Sequence, residues 1–205
     1  MAEVTPEYAI EQSAKWLSVA LDAIKELRGG GEVSRPTVRE IAWGAKVSRT
    51  FKDRVLWIAD TLRVNPDDLM SCMAWESGET FSPSKKNMAG SGATGLIQFM
   101  PSTARALGTT TDELAALSAE DQLNYVYKYF KPFDGRLNNL GDVYMAILWP
   151  KAVGKDDNFV LFDKGVAYRQ NAGLDVNKNG AVTRGECLVK IKDKLAKGLG
   201  AKYRG

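Results

Sequence analysis

The chain has 205 residues, a formal net charge of +3 and a hydrophobic content of 44%, which is ordinary for a globular protein able to bury a core. It contains no histidine, which excludes histidine-based triads and most zinc sites, and its two cysteines are too few for a disulfide framework. No signal segment and no membrane-spanning apolar run are visible in the sequence, so we expect no membrane partner.

The first 45 residues are predicted to form an N-terminal helical extension. Residues 5–28 begin with a cap, a first-turn proline and an acid, and continue at a helical period until three glycines end the helix. Residues 36–49 are similar to a helix-turn-helix, whose second helix would read DNA with Arg49 and Arg54. Because Lys52 stands where that motif usually buries an aliphatic residue, we favour helical packing and do not expect a nucleic-acid partner.

Residues 65–78 are predicted to form a short helix with both ends marked. Asn65 is a suitable N-cap, a proline and two acids follow it, and Gly78 is placed to end the helix. One face then carries Leu69, Cys72, Met73 and Glu76. Desolvation and the helix dipole both disfavour ionised Glu76, which predicts a raised pKa and a general acid. A helix-terminal glutamate that reaches solvent is the alternative.

A glycine-rich turn and an apolar strip follow at residues 90–104. They contain Gly95-Leu96-Ile97-Gln98 and then Met100-Pro101-Ser102-Thr103-Ala104. Together with Glu76-Ser77, these motifs resemble the lysozyme-like domain of lytic transglycosylases, which carries Glu-Ser, Gly-Leu-(Met/Ile)-Gln and Met-Pro-x-Thr-Ala in this order. The resemblance covers residues 47–205 and looks closest to the phage-type branch of the family.

This resemblance implies a one-carboxylate enzyme whose partner is the glycan strand of peptidoglycan. Glu76 would protonate the bond between N-acetylmuramic acid and N-acetylglucosamine, and then act as base on the muramic C6 hydroxyl to leave a 1,6-anhydro end. Substrate contacts are expected from Ser77, Gln98, Met100, Tyr125 and Tyr144. A muramidase that uses water and a non-catalytic wall-binding protein are the alternatives. A phage protein of this kind would be made in the host cytoplasm and reach the wall after release or within the virion.

Four more short helices are predicted after residue 100. Pro101 opens the first, a capping box at residues 110–113 opens the second, Ser118 and Pro132 bound the third, and residues 142–149 form the fourth. With at most a small hairpin near residues 87–98, this pattern predicts an all-α fold. Residues 46–205 would form the lysozyme-like domain.

One family feature is altered in the fourth of these helices. Lytic transglycosylases usually carry Ala-Tyr-Asn here, and the tyrosine contacts the catalytic carboxyl. This chain has Ala146-Ile147-Leu148 at the matching place. We therefore expect Tyr144, less than one helical turn earlier, to serve in its place, with a core aromatic as the alternative.

Residues 175–186 fit a twelve-residue EF-hand loop. The predicted calcium ligands are the side chains of Asp175, Asn177, Asn179, Thr183 and Glu186 and the backbone carbonyl of Ala181. Gly180 supplies the sharp turn, and Val182 is the usual apolar residue between the ligands. Six hard oxygen ligands suit Ca²⁺ better than zinc, in a structural role. A metal-free turn that caps the following helix is the alternative.

Overall fold

Short helices with marked ends dominate the computed structural model, which describes residues 39–88 and 90–205. Its eight α-helices are α1 (Arg49–Leu62), α2 (Pro66–Glu76), α3 (Pro101–Ala106), α4 (Thr111–Ala116), α5 (Ala119–Phe130), α6 (Leu140–Leu148), α7 (Gly165–Asn171) and α8 (Arg184–Leu199). This mainly helical architecture confirms the predicted all-α class. Within the described ranges no helix combines the length and apolarity needed to cross a membrane. The helix predicted at residues 5–28 lies outside them.

The predicted caps are present where the sequence placed them. The Asn65 side chain accepts a hydrogen bond from the Asp67 amide at the start of α2, and Thr110 and Glu113 form the predicted capping box of α4. Ser118 caps α5. Helix α6 begins at residue 140 rather than at 142, because the Asn139 side chain accepts from the Asp142 amide and caps the helix two residues earlier.

Helix α2 lies at the centre of the domain, where it packs against α1, α6 and α8. The sequence predicted one apolar face, but seven of its residues, from Asp68 to Ala74, are buried in succession. A short helix that is covered on nearly all sides has its position fixed by its neighbours. Its C-terminal residue, Glu76, is therefore presented on a rigid element.

The small sheet is not where a hairpin was predicted. The described residues of this segment, 86–88 and 90–99, form only isolated bridges, Lys86 with Thr94 and Thr94 with Phe99, because several of them have positive φ angles that interrupt strand pairing. The two described strands are instead β1 (Val160–Phe162) and β2 (Val182–Thr183), which pair antiparallel. The sheet thus joins the predicted calcium loop to the segment that follows α6.

The segment similar to a helix-turn-helix is packed into the domain. Trp43 is fully buried, and its indole nitrogen donates to the Lys194 carbonyl of α8 at 3.0 Å. In α1, Arg54 donates to the Asp121 carboxylate of α5 at 3.0 Å, while Arg49 pairs with Asp53 at 3.1 Å. These contacts and the packing of α1 on α2 and α5 hold the described part of this region, residues 39–49, in the domain. The preference for helical packing over DNA reading stays a prediction.

Candidate active site

Glu76 ends helix α2, and its carboxyl group lies half-buried. Among residues 39–88 and 90–205, no side chain or backbone group forms a hydrogen bond or an ion pair with this carboxyl. Burial raises the pKa of Glu76 from its ordinary value of 4.5 to about 8, and no neighbouring charge contributes to that shift. The predicted raised pKa is therefore present, and the group is protonated at neutral pH, as a general acid must be.

Two tyrosines lie close to Glu76. Burial raises the pKa of Tyr144 well above its ordinary value, and the charge of Glu76 raises it further. The same two causes, in the same order, raise the pKa of Tyr129 to about 12. Tyr144 was predicted to stand near the acid, whereas Tyr129 was not singled out. The Tyr129 hydroxyl donates to the Ala146 carbonyl at 2.7 Å, which ties α5 to α6 beside the site.

Glu79 and Asp68 are close to Glu76 in sequence, but neither can form a catalytic pair with it. Glu79 is bound by Lys194 and Lys197 of α8, and these hydrogen bonds lower its pKa. Asp68 lies eight residues earlier in α2, about 12 Å along the axis, which exceeds the ~5–9.5 Å spacing of glycosidase carboxylate pairs. The site therefore offers one acid rather than two.

A buried glutamine, Gln122 of α5, fixes the loops that follow Glu76 in sequence. Its carbonyl oxygen accepts from the Leu96 amide at 2.7 Å, and its amide nitrogen donates to the carbonyls of Pro83 and Leu114 at 3.0 and 2.8 Å. Gly95 has a φ of +88°, and a Cβ there would lie 2.3 Å from the Gln122 oxygen. The glycine of the Gly-Leu-Ile-Gln motif is therefore required both by conformation and by space.

Gln98 uses half of its side chain to close this same loop. Its amide nitrogen donates to the Lys85 carbonyl at 2.9 Å and to the Gly95 carbonyl at 3.1 Å. Its φ of +52° is left-handed, a conformation that these bonds help to hold. The amide oxygen forms no hydrogen bond with the described residues, so the side chain presents an acceptor.

The other predicted substrate residues differ in exposure. Ser77 is fully buried, and its hydroxyl accepts from the Phe81 amide at 3.0 Å, which places it within the turn after α2. Met100 is 44% exposed at the N-cap of α3, and Tyr125 is half-buried with the Lys128 ammonium over its ring. Substrate contact by these three residues stays a prediction.

The predicted calcium ligands are gathered in one loop between α7 and α8. The Asp175 carboxylate accepts from the Gly180 and Asn179 amides and from the Tyr168 hydroxyl, at 2.9, 3.2 and 2.8 Å. Glu186, at the other end of the loop, accepts from the Val176 amide at 3.1 Å. Desolvation raises the pKa of Asp175, but the hydrogen bonds accepted by its carboxylate lower that pKa more, so that it lies below its ordinary value. The pKa of Glu186 is likewise lowered overall, so both carboxylates are anions. Glu186 also forms a capping box with Thr183 at the start of α8, as the metal-free alternative expects.

The donor set of this loop fits Ca²⁺ rather than a transition metal. Within the described ranges no group of three or more Asp, Glu, Cys or His side chains is arranged to hold a metal ion. The loop contributes only the two carboxylates, and its remaining predicted ligands are amide, hydroxyl and carbonyl oxygens, which suit a hard cation. Gly180 has the positive φ, +86°, that the sharp turn needs. Val182 is buried in β2, as its place in the loop predicted.

A buried ion pair joins the end of this loop to helix α6. The Arg184 guanidinium donates to Asp142 at 3.1 Å and also binds Asp157, and the Arg184 and Asp142 side chains are 6% and 2% exposed. Asp142 accepts three more hydrogen bonds, from the Asn138 and Gly154 amides and the Asn139 side chain. A polar cavity of about 410 Å³ beside this pair is lined by none of the predicted catalytic or substrate residues.

Part of the chain matches a known protein family. Residues 57–148 match the Transglycosylase SLT domain, and the matched segment contains Glu76, Gln98, Gln122, Tyr129 and Tyr144. The predicted calcium loop and α8 lie beyond it. No curated protein and no solved structure matches the chain.

Proposed function

We propose that the protein is a peptidoglycan lytic transglycosylase that cleaves the bond between N-acetylmuramic acid and N-acetylglucosamine and leaves 1,6-anhydro ends. The observation that carries the proposal is Glu76, a half-buried carboxyl with a pKa of about 8 and no carboxylate partner, inside the segment that matches the Transglycosylase SLT domain. We further propose a phage origin, with the enzyme acting on the wall after release or from the virion.

A single carboxyl group can perform both proton transfers of this reaction. Protonated Glu76 gives its proton to the glycosidic oxygen, and the resulting carboxylate then removes the proton of the muramic C6 hydroxyl as that oxygen attacks C1. The attacking group belongs to the same sugar, so its effective concentration is high and no second protein carboxylate is needed. Half-buried Tyr129 and buried Tyr144 lie beside Glu76, where their rings would keep water from one side of the carboxyl and so support its raised pKa.

The proposed substrate groove is lined by Glu76 and by the two segments that follow it in the chain, the loop of residues 85–99 and helix α3. The unused amide oxygen of Gln98 is suited to accept a hydrogen bond from an acetamido N–H of the glycan. Met100 and Tyr125 offer apolar and aromatic surface for sugar rings. Ser77 would act by shaping the turn next to Glu76, and the mildly basic chain suits an anionic polymer.

A muramidase is the second candidate, since the same acid could protonate the same bond while water completes the reaction. Mass analysis of digested cell wall separates the two reactions. A transglycosylase releases fragments with anhydro ends, and reducing ends that lack the anhydro ring would contradict the proposal in favour of hydrolysis. Wall binding without any cleavage would instead identify a non-catalytic wall-binding protein.

The rate of wall cleavage is expected to fall on the alkaline side, above about pH 8. Glu76 must be protonated to donate, and its pKa of about 8 places loss of that proton there rather than near 4.5. Initial rates of turbidity loss in wall suspensions, measured across this range at fixed ionic strength, test the expectation. A rate that falls instead around pH 4.5 to 5 would show that Glu76 is not held in the environment described here.

We also propose that the loop of residues 175–186 binds Ca²⁺ and stabilises the domain. The side chains that would hold the ion are Asp175, Asn177, Asn179, Thr183 and Glu186, together with the Ala181 carbonyl. A bound ion would supply charge neutralisation within the loop and would leave the proton transfers at Glu76 unchanged.

A thermal melt in millimolar calcium is expected to give a higher Tm than a melt in chelator, because the ion binds only the folded loop. At a free calcium concentration of a hundred times the Kd, binding stabilises the folded state by about 2.7 kcal/mol. Glu186→Gln, which removes one of the two negatively charged predicted ligands, should remove most of this difference. Lys178→Gln alters the same loop at a position that is not a predicted ligand, and should keep it. An identical Tm in calcium and in chelator for the wild type would exclude the site.

A further inference from the structure

The turn that follows Glu76 is held in an unusual backbone conformation. Gly78, Glu79 and Phe81 have φ angles of +64°, +66° and +51°, and two of these three residues carry side chains that disfavour this region. Such a turn persists only where its surroundings over-determine it. The contacts that hold it therefore also decide how firmly the end of α2 is fixed.

Helix α8 holds the turn through Glu79. The Glu79 carboxylate binds Lys194 with one oxygen and Lys197, at 2.6 Å, with the other. The Glu79 and Lys194 side chains are only 23% and 24% exposed, so this pair is partly shielded from solvent. Hydrogen bonds from Lys194 and, to a smaller extent, Lys197 lower the pKa of Glu79, which keeps its carboxylate charged at neutral pH. Glu79, Lys194 and Lys197 are called the clamp below.

The other end of the turn is anchored on the same helix. Phe81 is 4% exposed and packs against Trp43, with ring centroids 6.3 Å apart. The Trp43 indole donates to the backbone carbonyl of Lys194. Lys194 thus stabilises the turn by two contacts: its ammonium group binds the Glu79 carboxylate, and its backbone carbonyl accepts from the Trp43 indole.

We propose that Glu79, clamped by Lys194 and Lys197, is a positioning residue that fixes Glu76 for catalysis; this inference rests on the proposed function. The Glu79 amide donates to the Ala74 carbonyl at 2.6 Å, so the turn closes the last turn of α2 around Glu76. When the clamp is released, that last turn frays, Glu76 becomes more hydrated, and its pKa falls toward the ordinary range.

A catalytic base role for Glu79 is the competing explanation, and it makes a different prediction. A base would require a free carboxylate, so Glu79→Gln would abolish the reaction while changes to the two lysines would not. A clamp requires both sides, so removing the carboxylate and removing both ammonium groups must have the same effect.

The test compares Glu79→Gln with the double variant Lys194→Gln, Lys197→Gln, and uses Lys190→Gln as the control for loss of a lysine charge elsewhere on the same helix. Each clamp variant is expected to lower kcat about tenfold with KM within about twofold, since misplacing a catalytic group costs rate rather than binding. The triple variant, with all three substitutions, should lose no more kcat than Glu79→Gln or the double lysine variant alone. The alkaline limb of the pH–rate profile should move to lower pH in the clamp variants and stay in place for Lys190→Gln.

The inference would be overturned if the clamp variants kept the wild-type kcat and the wild-type alkaline limb. It would also be overturned if Glu79→Gln lost activity while the double lysine variant did not. If the wild type leaves the wall intact, the proposed function fails, and the clamp is then decided by NMR titration of the Glu76 carboxyl. A lower Glu76 pKa in Glu79→Gln and in the double variant supports the clamp, and an unchanged one overturns it.

Discussion

Replacing Glu76 with glutamine is expected to lower the rate of wall cleavage by at least about a hundredfold, because a general acid commonly contributes 10²–10⁴-fold. The amide keeps the size and shape of the side chain, but its N–H protons are not acidic enough to protonate the glycosidic oxygen. The site holds no second free acid beside it, since Glu79 is engaged by two lysines. The measurement is the initial rate of turbidity loss in a suspension of purified cell wall.

The loss of activity in Glu76→Gln is expected without any loss of stability. Between pH 4.5 and about 8 the unfolded chain ionises Glu76 while the folded chain does not, so this group lowers the stability of the wild type as pH rises through that window. Glutamine has no such dependence, and the variant should melt at or above the wild-type Tm at neutral pH. The control is Glu40→Gln, an exposed acid whose replacement should change neither rate nor Tm. Near wild-type clearing by Glu76→Gln would refute the assignment.

The largest effect on stability is expected at Asp142. Asp142→Ala removes the buried one of the two carboxylates that bind the Arg184 guanidinium and also leaves the Asn138 and Gly154 amides without their acceptor. Breaking a buried pair in this way costs about 3–5 kcal/mol of the free energy of unfolding. Because the pair joins the start of α6 to the start of α8, the loss should spread to both helices.

Urea unfolding, followed by circular dichroism, measures the effect of Asp142→Ala. The matched control is Asp163→Ala, which removes the carboxylate of a solvent-exposed pair with Lys164 and should cost about 1 kcal/mol or less. A change at Asp142 no larger than the change at Asp163 would show that the buried pair does not join the two helices as described.

Local signals in the sequence predicted the starts of α2, α4 and α5 and the raised pKa of Glu76. Asn65, Thr110 and Ser118 cap the helices that their positions indicated, because capping depends on groups within three residues of the helix start. The raised pKa of Glu76 followed from its place on an apolar helix face. The calcium loop has the backbone turn and the gathered carboxylates that its pattern indicated, while metal binding itself stays a prediction.

Contacts between residues far apart in the chain could not be predicted in the same way. The Glu79–Lys194 and Asp142–Arg184 pairs join residues separated by 115 and 42 positions, and an isolated charge in the sequence carries no sign of its partner. Gln122 was also missed, although its place one helical turn before buried Val126 could have marked it as a buried polar residue. The β1–β2 pairing was missed for the same long-range reason.

The central claim, that Glu76 alone drives an intramolecular cleavage, is tested most directly by digesting purified cell wall in water enriched in heavy oxygen. An intramolecular reaction consumes no water, so mass spectrometry should find muropeptides one water lighter than hydrolysis products, without the heavy isotope at their new ends. Digestion with Glu76→Gln should release neither product. Heavy oxygen at the new reducing ends would contradict the account and identify a hydrolase.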